Sequence, residues 1–219
     1  MTALSLPQQI AVAVFPLLTA ITLHEASHAY VANFFGDTTA KAQGRLSLNP
    51  IKHIDPFGTI IVPLLIGILS QFTFIFGWAK PVPITPSRLK KPRRDMILVS
   101  IAGPLSNLIM AFMWAAILKA TLLYAAPSSN IALFLLLSAR IGILMNLILA
   151  LFNLLPIPPL DGSKVVSSFL SYNAQIKWYQ FERYGFLILL LLIYTGVISQ
   201  ILSPALNVCI QFISQLFQL

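Results

Sequence analysis

Four times along this chain roughly twenty or more residues pass with scarcely a charge, enough for a helix to cross a hydrocarbon core about 30 Å thick. These runs are residues 10–35, 96–124, 131–155 and 184–202. Residues 57–78 are also apolar, but Pro63, Gly67 and Gly77 interrupt them, and residues 204–219 are short for a crossing. Only 9% of the chain is charged, against about 25% in a soluble domain, and the mean hydropathy is +0.85. The expected fold is an all-α polytopic membrane protein with about four to six membrane segments, organised as one domain over residues 1–219. Residues 1–9 lack the basic stretch of a cleaved signal peptide, so the first run is kept as a true segment.

The net charge of +8 is concentrated between the runs. Residues 79–94 hold Lys80, Arg88, Lys90, Lys91, Arg93 and Arg94; residues 37–56 hold Lys41, Arg45 and Lys52; residues 162–183 hold Lys164, Lys177 and Arg183. Basic loops mark the cytoplasmic face of a membrane protein, so no nucleic-acid partner is expected. All three loops share one face only if residues 57–78 enter and return on the same side; a full crossing is the competing reading. The re-entrant form puts the N-terminus outside and runs the first segment inward. His24 then lies about 21 Å down, at 1.5 Å per residue, in the cytoplasmic half of the membrane. Residues 37–56 read as loop or short strands. Residues 76–84, threaded by prolines, read as an extended segment able to pair with an unwound peptide, or as a proline-rich surface loop. The single cysteine, Cys209, allows no intrachain disulfide.

The first run contains His24-Glu25-Ala26-Ser27-His28. Histidines four apart project from one helix face and can grip one metal ion, while the Glu beside them can serve as general base. Ionisable groups buried without partners cost several kcal/mol, so their presence in an apolar run argues for work to do. A catalytic zinc takes three protein ligands. The acidic candidate for the third is Asp161, which follows the run ending near Leu155 and the helix-breaking Pro156, Pro158 and Pro159. Asp161-Gly162 is equally a common turn pair. His53, in a basic loop, reads as a non-ligand.

These residues resemble the site-2 protease family of intramembrane zinc metalloproteases. Its second motif, N-x-x-P-x-x-x-x-D-G, is matched at Asn153, Pro156, Asp161 and Gly162, and residues 101–107, Ile-Ala-Gly-Pro-Leu-Ser-Asn, look like its middle core helix. The resemblance implies one zinc ion held by His24, His28 and Asp161, Glu25 as catalytic base, and Asn153 as a group that holds substrate or stabilises the oxyanion. It implies a transmembrane protein or peptide as substrate, hydrolysed within the lipid bilayer. Neither a PDZ module nor a nucleotide-sensing CBS domain is legible, which leaves residues 57–78 as the element able to select or gate substrate. The compact chain and its loop charges suit a prokaryotic plasma (inner) membrane.

The alternative is a non-enzymatic membrane carrier or sensor of divalent metal. A carrier has no use for Glu25 as a non-ligand and calls for several ligand clusters along a path. Asn107 and Asn146 read as interhelical hydrogen-bonders, Arg140 as a snorkelling or paired cation, Trp114 as an interface anchor, and Lys119 as a cation reaching the outer surface.

Overall fold

The structure is a computed structural model that describes residues 5–69, 77–126 and 129–219. The long helices are α1 (Leu6–Phe34), α4 (Pro92–Tyr124), α5 (Asn130–Asn153), α7 (Tyr172–Tyr194) and α8 (Val197–Phe217). Shorter ones are α2 (Thr39–Ala42), α3 (Val62–Leu69) and α6 (Asp161–Phe169). No strand occurs among the described residues, so of the two readings of residues 37–56, loop or short strands, the loop is the one seen. That stretch forms α2 and a single turn at Pro50–Lys52, because Asn49 and Pro50 start a turn instead of a ladder.

Helices α1, α4 and α5 pack on one another, and α6 lies against α4. Close approach is possible because α1 turns Ala20, Ala26, Ala29 and Ala32 inward, each at most 1% exposed. The largest cluster sits further along the bundle, around Ala111, Trp114, Leu118, Ala139, Ile143 and Leu147. Trp114 is therefore a core residue and not an interface anchor: Gly142 of α5 leaves the space that its indole fills. The outer surface is apolar, with Phe15, Ile109, Met113, Leu133 and Leu191 all exposed. Among the described residues, four helices are long and apolar enough to cross a membrane: residues Ile10–Phe34, Pro92–Tyr124, Asn130–Asn153 and Val197–Phe217. Arg140 lies exposed in α5 with Leu133, Leu144 and Ile148 on the same face.

The run at residues 184–202 is not one helix. The chain turns at Thr195 and Gly196, and the final crossing candidate is α8. Apolar composition carries through this turn, so hydropathy alone joined two helices. The start of α8 packs with Leu160 and Leu189 through Ile198. Its end lies beside α4, where Lys119 Nζ donates to the Gln218 carbonyl at 3.0 Å.

After Pro56 a wide helical turn (Pro56–Ile61) leads into α3. Residues 70–76, the centre of the expected re-entrant element, lie outside the described residues. Its two ends meet: Trp78 N donates to the Gly58 carbonyl at 3.0 Å, and Thr59 Oγ1 donates to the Trp78 carbonyl at 2.8 Å. A segment crossing about 30 Å of hydrocarbon cannot bring its ends together this way, whereas a re-entrant one must. Residues 77–85 then run as a strap with neither helix nor strand, bonded at the alternate residues Trp78, Lys80 and Val82, to a single turn at Pro86–Arg88.

Asp37 pins the end of this strap. Its carboxylate accepts from Thr85 N at 2.6 Å and Thr39 N at 2.9 Å. Burial alone would raise the Asp37 carboxyl. The bonds from Thr39 and Thr85, with Arg88 nearby, outweigh it and hold the group below the usual carboxylate range. A carboxylate depressed in the folded state stabilises at pH values above its unfolded value and loses that contribution as pH falls through the folded value. Asp37→Asn is therefore expected to cost about 2 kcal/mol at neutral pH. The gap from the parent should close as pH drops below about 4. Thermal unfolding of the detergent-solubilised protein across pH checks this.

Candidate metal centre

Helix α1 carries His24 and His28 one turn apart on the face packed against α4. The loop after α5 ends at Leu160, and Asp161 opens α6, where the helix N-terminus favours a negative charge. Three atoms converge. His24 Nε2 and His28 Nε2 are 3.1 Å apart, and each is 3.1 Å from Asp161 Oδ2. All three residues are buried. Asp161 lies 137 positions along the chain from His24.

The outer nitrogens of both rings are committed. His24 Nδ1 meets Asn107 Oδ1 at 2.6 Å, and His28 Nδ1 meets the Val99 carbonyl at 2.7 Å. The Asn107 amide nitrogen is spent on Asn146 Oδ1 and the Ala20 carbonyl, so its oxygen faces the ring. Both partners accept, so each Nδ1 carries the proton and donates. Each Nε2 then presents a lone pair toward the other and toward a carboxylate. Protonating both rings to satisfy Asp161 would set two imidazolium cations against each other. A shared metal cation resolves the arrangement without that repulsion. Atoms bound tetrahedrally to zinc at about 2.0–2.1 Å stand about 3.3 Å apart, close to the separations seen here. The group could hold zinc.

Close packing makes this triangle. A Cβ on Gly103 of α4 would collide with His28 Nε2 and stand 2.7 Å from His24 Nε2. Lys164, one turn along α6, donates to Asp161 Oδ1 at 3.0 Å and leaves Oδ2 facing the imidazoles. Glu25 is not part of the triangle: its Oε2 accepts from Val82 N of the strap at 2.9 Å. Asn153 donates its amide to the Leu149 carbonyl one turn back in α5 at 2.9 Å, and no hydrogen bond among the described residues joins it to the triangle. His53 Nε2 pairs with the Ser47 carbonyl and lies outside the metal group.

The segment expected at residues 76–84, as an extended strand or a proline-rich loop, is described from residue 77 and carries neither helix nor strand, with Phe76 outside the described residues. Its even-numbered edge is already occupied. Trp78 pairs with Gly58 and Thr59, Lys80 with His53 and Arg45, and Val82 with Glu25. The other edge carries Pro81 and Pro83, which offer carbonyls but no N–H. Sequence reasoning read Asn107 and Asn146 as helix ties but missed that Asn107 orients His24; it did not single out Lys164, although its spacing from Asp161 was legible.

The Peptidase family M50 profile matches residues 124–195, which include Asn153 to Gly162. YwhC of Bacillus subtilis (strain 168), named as a candidate zinc metalloprotease, is 46% identical over 209 residues, covering 93% of this chain and 90% of YwhC. This chain belongs to peptidase family M50, the site-2 proteases. It is a zinc metalloprotease of that family. Rip2 of Mycolicibacterium smegmatis (strain ATCC 700084 / mc(2)155), also named as a candidate zinc metalloprotease, is 33% identical over 84% of this chain and 66% of its own length. Rip2 of Mycobacterium tuberculosis (strain ATCC 25618 / H37Rv), named in the same way, is 29% identical over 87% of this chain and 66% of its own length. No solved structure matches the chain.

Two substitutions probe the packing of this M50 centre. Gly103→Ala should drive the imidazoles apart, and Asn107→Leu should free His24 to rotate. Each is expected to weaken zinc retention about 10- to 100-fold, measured by competition with a chelator on the purified protein.

Proposed function

We propose that this M50 member is an intramembrane endopeptidase that hydrolyses peptide bonds in or near transmembrane helices of membrane proteins, with residues 1–219 acting as one catalytic domain. The observation that carries the reading is the buried meeting of His24, His28 and Asp161 beside a carboxylate that is not a ligand, Glu25.

In this reading His24, His28 and Asp161 hold one zinc ion. Bound there, zinc supplies Lewis acidity, making a water nucleophilic near neutral pH and polarising a carbonyl. Glu25 takes the proton of the attacking water and hands it to the leaving amine. Asn107 and the Val99 carbonyl keep the imidazoles in register, and Lys164 keeps Asp161 aimed at them. Asn153 is assigned a substrate-holding role on the strength of the family motif it shares; its bond to the Leu149 carbonyl uses one N–H and leaves the other N–H and Oδ1 for substrate. The surrounding apolar bundle excludes bulk water. The basic loops support a cytoplasmic position for the centre, in the plasma membrane of a prokaryote. One ligand cluster among the described residues, together with a Glu outside that cluster, favours hydrolysis over metal carriage.

Glu25→Gln decides between these. The variant is expected to bind zinc like the parent while cleavage of a fluorescent membrane-spanning peptide falls at least about a thousandfold. Cleavage at the parental rate would overturn the assignment.

A further inference from the structure

Arg45 is buried, 5% exposed, in a loop whose other cations face solvent. Among the described residues it forms no ion pair, and its Nε has no hydrogen-bond partner. Burying a guanidinium on such terms is costly, so its place needs a reason. The local chain puts it there deliberately. Helix α2 ends after one turn, with Gly44 in the left-handed region at φ +66°. Gly44 N bonds back to Lys41 O at 3.0 Å and Arg45 N to Ala40 O at 2.8 Å, the paired bonds of a glycine-terminated helix end. Residue 45 is thereby set at the strap.

Among the described residues its one side-chain hydrogen bond is there: Arg45 Nη2 donates to the Lys80 carbonyl at 2.7 Å. Lys80 N, on the same residue, donates to the His53 carbonyl at 3.0 Å. Residue 80 is held at both of its backbone groups. In an extended chain residues 80 and 82 share an edge, and Pro81 and Pro83 stiffen the link between them. Fixing residue 80 therefore fixes Val82, whose side chain is seated among Ala29 and Ala40 and whose N–H is the one amide donor in residues 81–83. That N–H is the group on Glu25 Oε2. Burial pushes the Arg45 guanidinium down and the charge of Glu25 opposes this, so the two residues also lie within electrostatic reach.

We propose that Arg45 is a positioning residue for Glu25: by gripping the Lys80 carbonyl it holds the Val82 N–H on one carboxylate oxygen and leaves the other to take the proton. The proposal rests on the reading of Glu25 as proton acceptor. A plain packing role for Arg45 predicts lost fold or lost zinc; a positioning role predicts neither.

The test uses the full chain in lipid nanodiscs, with the fluorescent membrane-spanning peptide as substrate. Arg45→Met should lower kcat at least about tenfold, the scale of a lost charge-assisted hydrogen bond, with KM within about twofold of the parent. Zinc content should be unchanged. Arg45→Lys, which can still donate to the Lys80 carbonyl, should recover most of kcat. Val82→Pro removes the donor while suiting an extended backbone, and should reproduce the kcat loss with little added effect in the double variant. Hydrogen exchange reads the contact without activity, because Val82 carries the sole amide between the two prolines. Its exchange should accelerate in Arg45→Met. Unchanged kcat, fully additive losses, or zinc loss in both Arg45 variants would overturn the proposal. If the parent cuts no peptide, the protease reading fails by itself; unaccelerated Val82 exchange in Arg45→Met then also overturns the positioning contact, and acceleration upholds it.

Discussion

Two imidazoles and a carboxylate converge among helices of leucine and alanine, a donor set that one shared cation would satisfy. Each inward-facing atom offers an electron pair, and each outward-facing nitrogen already has its acceptor. That constraint explains the unusual residues nearby. Gly103 has no side chain because the rings lie where one would be. Asn107 offers its oxygen to His24 because its nitrogen is tied to α1 and α5. Lys164 occupies the Asp161 oxygen that does not face the rings.

The same polar contacts hold the three central helices together. In apolar surroundings water cannot satisfy a buried amide, so an unpaired one is expensive. Asn107 and Asn146 form a short chain from the Ala20 carbonyl on α1, across α4, to the Gly142 carbonyl on α5. This chain passes directly beside His24. Helix packing and imidazole orientation are thus one arrangement, and disturbing either disturbs the other. One residue along α1 the strap does comparable work for Glu25, since its carboxylate meets a backbone N–H whose neighbours in the strap are bonded to His53 and Arg45.

Much of the fold was legible because membrane helices announce themselves by length and composition. Helices α1, α4 and α5 appear where apolar runs of sufficient length occur, within a few residues. The failures have a common cause. Hydropathy measures what surrounds a residue, not where the backbone turns, so α7 and α8 merged across Gly196. Composition does not say which face meets lipid, so Trp114 looked like an interface anchor until Gly142 was seen to receive it. The strap was recognisable as non-helical from its prolines, but which of its edges was open depended on Asp55–Thr59, Arg45 and Glu25 folding against it.

The sequence by itself determined that the chain is helical and apolar enough for a bilayer, and that His24 and His28 share a face with Glu25 beside them. Those facts follow from the 3.6-residue period and from solvation, which act within a single segment. Only tertiary structure decided that Asp161 closes the triangle, that Asn107 and Val99 set the ring tautomers, and that Arg45 reaches Glu25 through Lys80 and Val82. Contacts between residues far apart in the chain depend on how close two backbones can come, and that is settled by the packing of many small side chains at once.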